Sequence, residues 1–245
     1  MDALDTETYQ IEPGLLAPPL VCGSVASDTA LAQAYLFAPA DLLNWLRSVL
    51  ASGNTIAGAN IAYDFAVVAV ADPTLLPMIF RAYEQGLIYD IQIAQTLDAI
   101  AGGHLGIDPR TGKGLVSFRT GRRSRYSLEA CVDLVLGRRD AKVNNAWRLR
   151  YGELAELPIS EWPKEARQYP LDDAKNTLEV ALAQMKLRNL RDLPAQARAA
   201  FAMHLGAVWG LRTDQAAVAS LESRIKAACE ERSKLYREVG FFIYC

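Results

Sequence analysis

The feature that most restricts the fold is the order of the apolar patterns: strand-like runs come first and helical repeats follow. "MDALDTETY", "LLAPPLVCGSVAS" and "LAQAYLF" are three short runs of strand character, parted by turns at Pro18-Pro19 and Asp28-Thr29. They predict the start of a small antiparallel sheet. In "PADLLNWLRSVLASG", Leu42, Leu43, Leu46, Val49 and Leu50 fall on one helical face and Gly53 supplies a stop signal. "TIAGAN" then reads as a buried strand ending at Asn60. After it, "YDFAVVAVA", "LLPMIFRAYEQG", "IYDIQIAQTLDAIAG" and "SLEACVDLVLG" are helices or short strand-to-helix steps. This order implies an α/β layer fold, a sheet covered by helices. In such folds functional groups gather at strand ends and adjacent helix starts.

A chain of 245 residues that is 51% hydrophobic and 22% charged suits one large or two small domains with a proper core. The net charge of −2 excludes the polycationic character that coats nucleic acid non-specifically, so any nucleic-acid contact must be local. Cys22, Cys131, Cys229 and Cys245 lie far apart without a C-x-x-C pair, which argues against zinc and against a disulfide framework. A reducing cytoplasm is the expected compartment. No run reaches the roughly 18 apolar residues of a membrane span, and the first residues are acidic rather than basic. Neither anchor nor signal is expected, and no membrane partner.

Two segments stand apart. Between Gly102 and Tyr126 the chain is rich in glycine and arginine and lacks periodicity, which predicts a surface loop or hairpin. Its Arg119, Arg122, Arg123 and Arg125 make the one basic patch, read either as a solvated loop or as a cluster that meets phosphates. "GIDPRTGKG" is no Walker loop, because five residues separate Gly106 from Gly112 and no Ser or Thr follows Lys113. From Asp214, a good N-cap, to Gly240 runs a long helical pattern, a stalk or the start of another domain. The apolar end "FFIYC" suggests truncation.

On a strand, Asp5 and Glu7 would share one face. Alone, an Asp-x-Glu means little, since about one is expected by chance in a chain of this size. Company comes from Asp64, which with Asn60 lies just beyond the buried strand, and from Tyr169 and Asp173, four positions apart on one helical face. Four carboxylates converging would raise one another's pKa and weaken the fold unless cations offset them. Mg²⁺ and Mn²⁺ prefer such oxygens, and two ions about 4 Å apart support in-line phosphodiester cleavage. Asp90 and Asp98 read instead as a helix cap and a surface acid.

In order and spacing, "LDTET", "GANIAYDF" and "YPLDD" resemble the motifs Asp-x-Glu, Asn-x-x-x-Asp and Tyr-x-x-x-Asp of the proofreading 3′-5′ exonuclease domain of family A DNA polymerases, particularly bacteriophage enzymes. The resemblance covers roughly residues 1–190, taking in "DIQIAQTL", "YSLEACVDLVLG" and the run from "WRLRYG" to "NTLEV". Within 191–245, "GLRTDQAAVASLESRI" resembles the segment leading into the polymerase thumb, while polymerase motifs are absent from the chain. The resemblance implies an RNase H-like mixed sheet flanked by helices, a helical C-terminal extension, and a DEDD exonuclease of the tyrosine subclass. It implies that Asp5, Glu7 and Asp173 bind one divalent ion, that Asp5 also touches a second, that Asp64 holds the second through water, and that Tyr169 orients the attacking water. Thr6, Asn60, Arg122, Arg123 and Arg125 are then expected to meet the single-stranded DNA 3′ end. A polymerase domain or chain is the expected protein partner.

Asp172 is a rival to Asp173. Because a residue before proline is pushed out of helical geometry, Tyr169 is expected as an N-cap with Pro170 in the first turn. Two other functions stay open: an exoribonuclease of the same superfamily, and an inactive module that binds a single strand or a polymerase.

Overall fold

The computed structural model describes residues 1–30, 33–114, 126–138, 147–187, 189–210 and 213–238. Arg119, Arg122, Arg123, Arg125 and the "FFIYC" end lie outside the described residues. The chain divides into a body, Met1–Val208, and a second unit, Trp209–Cys245.

The body is an α/β layer structure around a five-stranded mixed sheet. In chain order its strands are β1 (Asp2–Thr8), β2 (Leu20–Ser27), β3 (Ala34–Phe37), β4 (Ile56–Gly58) and β5 (Ile88–Asp90), laid side by side as β3-β2-β1-β4-β5. The first three are antiparallel, with Asp5 opposite Ser24 and Glu7 opposite Cys22, and the register shifts between Glu7 and Thr8. β4 and β5 join parallel to β1, so the carboxyl ends of β1, β4 and β5 open on one edge. That is the edge at which α/β sheets place their ligands.

Alternation along the strands sorts side chains onto two faces. Leu4, Val25, Ile56 and Ile88 enter one core, against α1 (Pro39–Ser52), α2 (Ile61–Ala71), α3 (Leu76–Glu84) and α7 (Leu193–Trp209). Ala3, Ala26, Ala57 and Tyr89 enter the other, against α4 (Ile91–Ala101), α5 (Leu128–Leu136) and α6 (Lys164–Leu187). Three of these four strand residues are alanines, and α6 answers with Ala174 and Ala181. Small residues on both sides let this helix lie close to the sheet. The first helix runs as its pattern predicts, burying Leu42, Leu46 and Val49 and ending at Gly53 in left-handed geometry (φ 74°). Helix α2 is apolar on nearly all sides because it is buried along most of its length.

Two features differ from the sequence-based expectation. The body continues past residue 190: α7 buries Ala197, Phe201 and Leu205, with Phe201 stacked on Tyr83 at 4.8 Å between ring centroids. Pro170 is not in a first turn, and Tyr169 is not an N-cap. Helix α6 begins at Lys164 and carries Pro170 in its interior.

In the second unit, α8 (Gln215–Glu238) starts where expected, with Asp214 Oδ1 accepting from the backbone N–H of Ala216 and Ala217 at 2.9 and 3.1 Å. No helix among the described residues is long and apolar enough to cross a membrane.

Candidate active site

Strand parity decides the first half of the site. Asp5 and Glu7 follow Ala3 on the α6 side of β1, so both acids face the helix that carries Tyr169 and Asp173. Thr6, between them, points the other way, toward α2. There its backbone N–H and hydroxyl both donate to Asp64 Oδ1, at 3.0 and 2.6 Å. Asp64 stands in the first turn of α2, where its charge also meets the positive helix end. The turn that delivers it is tight: Asn60, between β4 and α2, has φ 64° and ψ 46°, a left-handed conformation that asparagine tolerates better than most residues.

Asp5, Glu7, Asp64, Tyr169 and Asp173 all line one cleft of about 420 Å³, together with Thr6, Tyr63, Gln92, Glu129 and Arg148. Glu7, Asp64 and Asp173 are buried, while Asp5 and Tyr169 are partly exposed to the cleft. The rival Asp172 is exposed and accepts a hydrogen bond from Gln168 at 2.7 Å. Asp173 is therefore the acid that α6 turns inward. Asn60 sits at the turn rather than among the cleft residues, and Thr6 is occupied in holding Asp64.

The electrostatics record the crowding of acids. Burial is the largest influence on Asp64 and pushes its carboxyl up to about 7. Hydrogen bonds from Thr6 work against this, and the nearby Asp90 adds to it. Burial also drives the Tyr169 phenol well above its usual range, helped by Asp173, Glu7 and Asp5 and opposed by Arg148. The Cys22 thiol, next to Glu7 on the facing strand, is raised by burial and then by Glu7 and Asp5, which keeps it protonated and a poor ligand.

Among the described residues no three His, Cys, Asp or Glu side chains are gathered as they stand into a group that would grip an ion. The donor chemistry nonetheless fits hard divalent cations: five carboxylates, those of Asp5, Glu7, Asp64, Asp173 and Glu129, share the cleft, and neither histidine nor cysteine is among its lining residues.

Several supporting residues escaped sequence reasoning. Asp90 caps α4 as expected, accepting from the N–H groups of Gln92 and Ile93, but also accepts from Ile61 N–H at 3.1 Å and so ties α4 to the start of the helix bearing Asp64. Tyr63 and Thr8 share a hydrogen bond of 2.7 Å beside the cleft. Arg148 was not singled out, since nothing local in "WRLRYG" distinguishes it from Arg150. Ser24 and Tyr151 bond to backbone far away in sequence.

No protein-family model matches the chain, and none of the curated proteins compared with it is similar.

Proposed function

We propose that the chain is a 3′-5′ exonuclease that hydrolyses single-stranded DNA ends to nucleoside 5′-monophosphates with the help of two divalent ions, as the proofreading part of a family A DNA polymerase would. One observation carries this reading: the acids of three separated motifs, with Tyr169, line a single cleft at the carboxyl edge of the parallel strands. Asp5, Glu7 and Asp173 would hold one Mg²⁺ or Mn²⁺, and Asp5 and Asp64 the other. Bound there, the ions would lower the pKa of the attacking water and offset charge on the phosphate.

The chain's own residues supply the rest. Tyr169 keeps its phenolic proton because burial and neighbouring acids oppose ionisation, so it orients water by hydrogen bonding rather than by taking its proton. Arg148, an exposed lining residue, offers positive charge to the strand's phosphates. Water adds to the terminal phosphorus and the bond to the preceding 3′ oxygen breaks. A mononucleotide leaves and the shortened strand regains its hydroxyl. A paired end must fray to enter, and a mismatched end frays more readily, which gives such a site its proofreading bias. Cys22, Cys131 and Cys229 are free thiols, in keeping with a reducing cytoplasm.

A 5′-labelled single-stranded DNA oligomer incubated with Mg²⁺ or Mn²⁺ should give a ladder shortening from the 3′ end. Asp5→Ala and Asp173→Ala should each slow it by roughly a hundredfold or more, while Asp172→Ala leaves it within about twofold. Full activity in folded Asp5→Ala would sink the two-ion reading. Faster loss of an RNA oligomer of the same sequence would transfer the site to RNA.

A further inference from the structure

The interior proline of α6 breaks the helix's own hydrogen-bond ladder one turn from the cleft. Pro170 has no N–H, so the carbonyl of Ala166 lacks the donor that position would normally provide. The structure fills the gap from outside the helix. The Tyr151 hydroxyl, on a 3₁₀ turn (Tyr151–Leu154), donates to Ala166 O at 2.8 Å, and its ring is fully buried. On the other side of Tyr169, the Ser24 hydroxyl of β2 donates to Pro170 O at 2.7 Å, also fully buried. Ser24 stands opposite Asp5 in the sheet register, so the same strand pair that carries Asp5 also grips the turn that carries Tyr169.

We propose that Tyr151 and Ser24 are positioning residues that fix the proline-opened turn of α6, and through it the Tyr169 side chain, against the Asp5 strand. This rests on the exonuclease reading of the cleft. Neither hydroxyl touches substrate in this role. Each takes the place of a helix bond or adds a second tether, converting a locally weakened turn into a rigid mount.

Tyr151→Phe and Ser24→Ala remove one hydroxyl each and keep the surrounding shape. Each should lower kcat on single-stranded DNA by about tenfold to a hundredfold with KM within about twofold, because strand binding is untouched and only the tyrosine's aim is lost. Tyr151→Phe combined with Tyr169→Phe should be no slower than Tyr169→Phe alone. An unchanged kcat in both folded single variants, or losses that multiply in the double variant, would overturn the proposal. Should the wild-type chain cleave no nucleic acid, the exonuclease reading fails and amide hydrogen exchange decides the mount by itself. Faster exchange across residues 166–173 in either variant supports it, and unchanged exchange in both overturns it.

Discussion

Asp64 is the residue at which burial and charge compete most directly. Its carboxyl is pushed up to about 7 from an ordinary value near 3.8, chiefly by burial, although Thr6 donates two hydrogen bonds to it. Because the folded chain holds the proton more tightly than the unfolded one, this group favours folding most below pH 4. Its contribution falls as pH climbs through 4 to 7 and levels off above. A shift of this size corresponds to a few kcal/mol at most. Urea unfolding without divalent ions should therefore show stability declining between about pH 4 and 7 and levelling off above. Asp64→Asn, which keeps an acceptor for both Thr6 donors, should flatten that decline. Equal slopes in the two proteins would mean that Asp64 is ionised throughout.

The turn between β4 and α2 is the element on which Asp64's place depends. Asn60 there has positive φ and ψ, so Asn60→Gly should be nearly neutral, whereas Asn60→Val should cost about 1–2 kcal/mol in denaturant unfolding and lower activity with it. If Val is tolerated as well as Gly, the turn can adopt another backbone path.

Most elements of this kind were legible from period and punctuation: short strand-like runs parted by turns marked the first strands, and Gly53, Asp90 and Asp214 marked helix ends by chemistry confined to a few neighbouring residues. Asp5, Glu7, Asp64, Tyr169 and Asp173 could be singled out for the same reason, since their spacing is local. Pro170 was misread because the rule against interior proline concerns the helix alone. Its remedy lies 15 residues away at Tyr151, and Ser24 lies 146 away. Thr6 was expected only to meet the DNA 3′ end, and nothing near it in sequence reveals that α2 brings Asp64 to its hydroxyl.

At the scale of the whole molecule, the end of the body is set by aromatic packing rather than by the polar stretch before α7. Phe201 lies among Tyr83, Phe65 and Phe80, with centroid separations of 4.8, 6.2 and 5.6 Å. A chain stopped at residue 190 would strip this cover from the core, and should unfold non-cooperatively or fail to fold. One stopped at Val208 should melt like the body of the full chain. Phe201→Ala should lower stability by about 3–5 kcal/mol in denaturant unfolding. Cooperative melting of the shorter piece at the full chain's temperature would restore the earlier boundary. The attachment of α7 was not readable, because Phe201's partners lie more than a hundred residues upstream.

The alanine layer between sheet and α6 has a consequence of another kind. Asp5 and Glu7 belong to one jaw of the cleft and Tyr169 and Asp173 to the other, and Ala3, Ala26, Ala57, Ala174 and Ala181 form the shim that sets how far apart the jaws stand. A gauge built from methyl groups has almost no slack in either direction. Tuning of this site is thus open to substitutions at dry positions that no substrate ever meets, and a survey of cleft-lining residues alone would miss them.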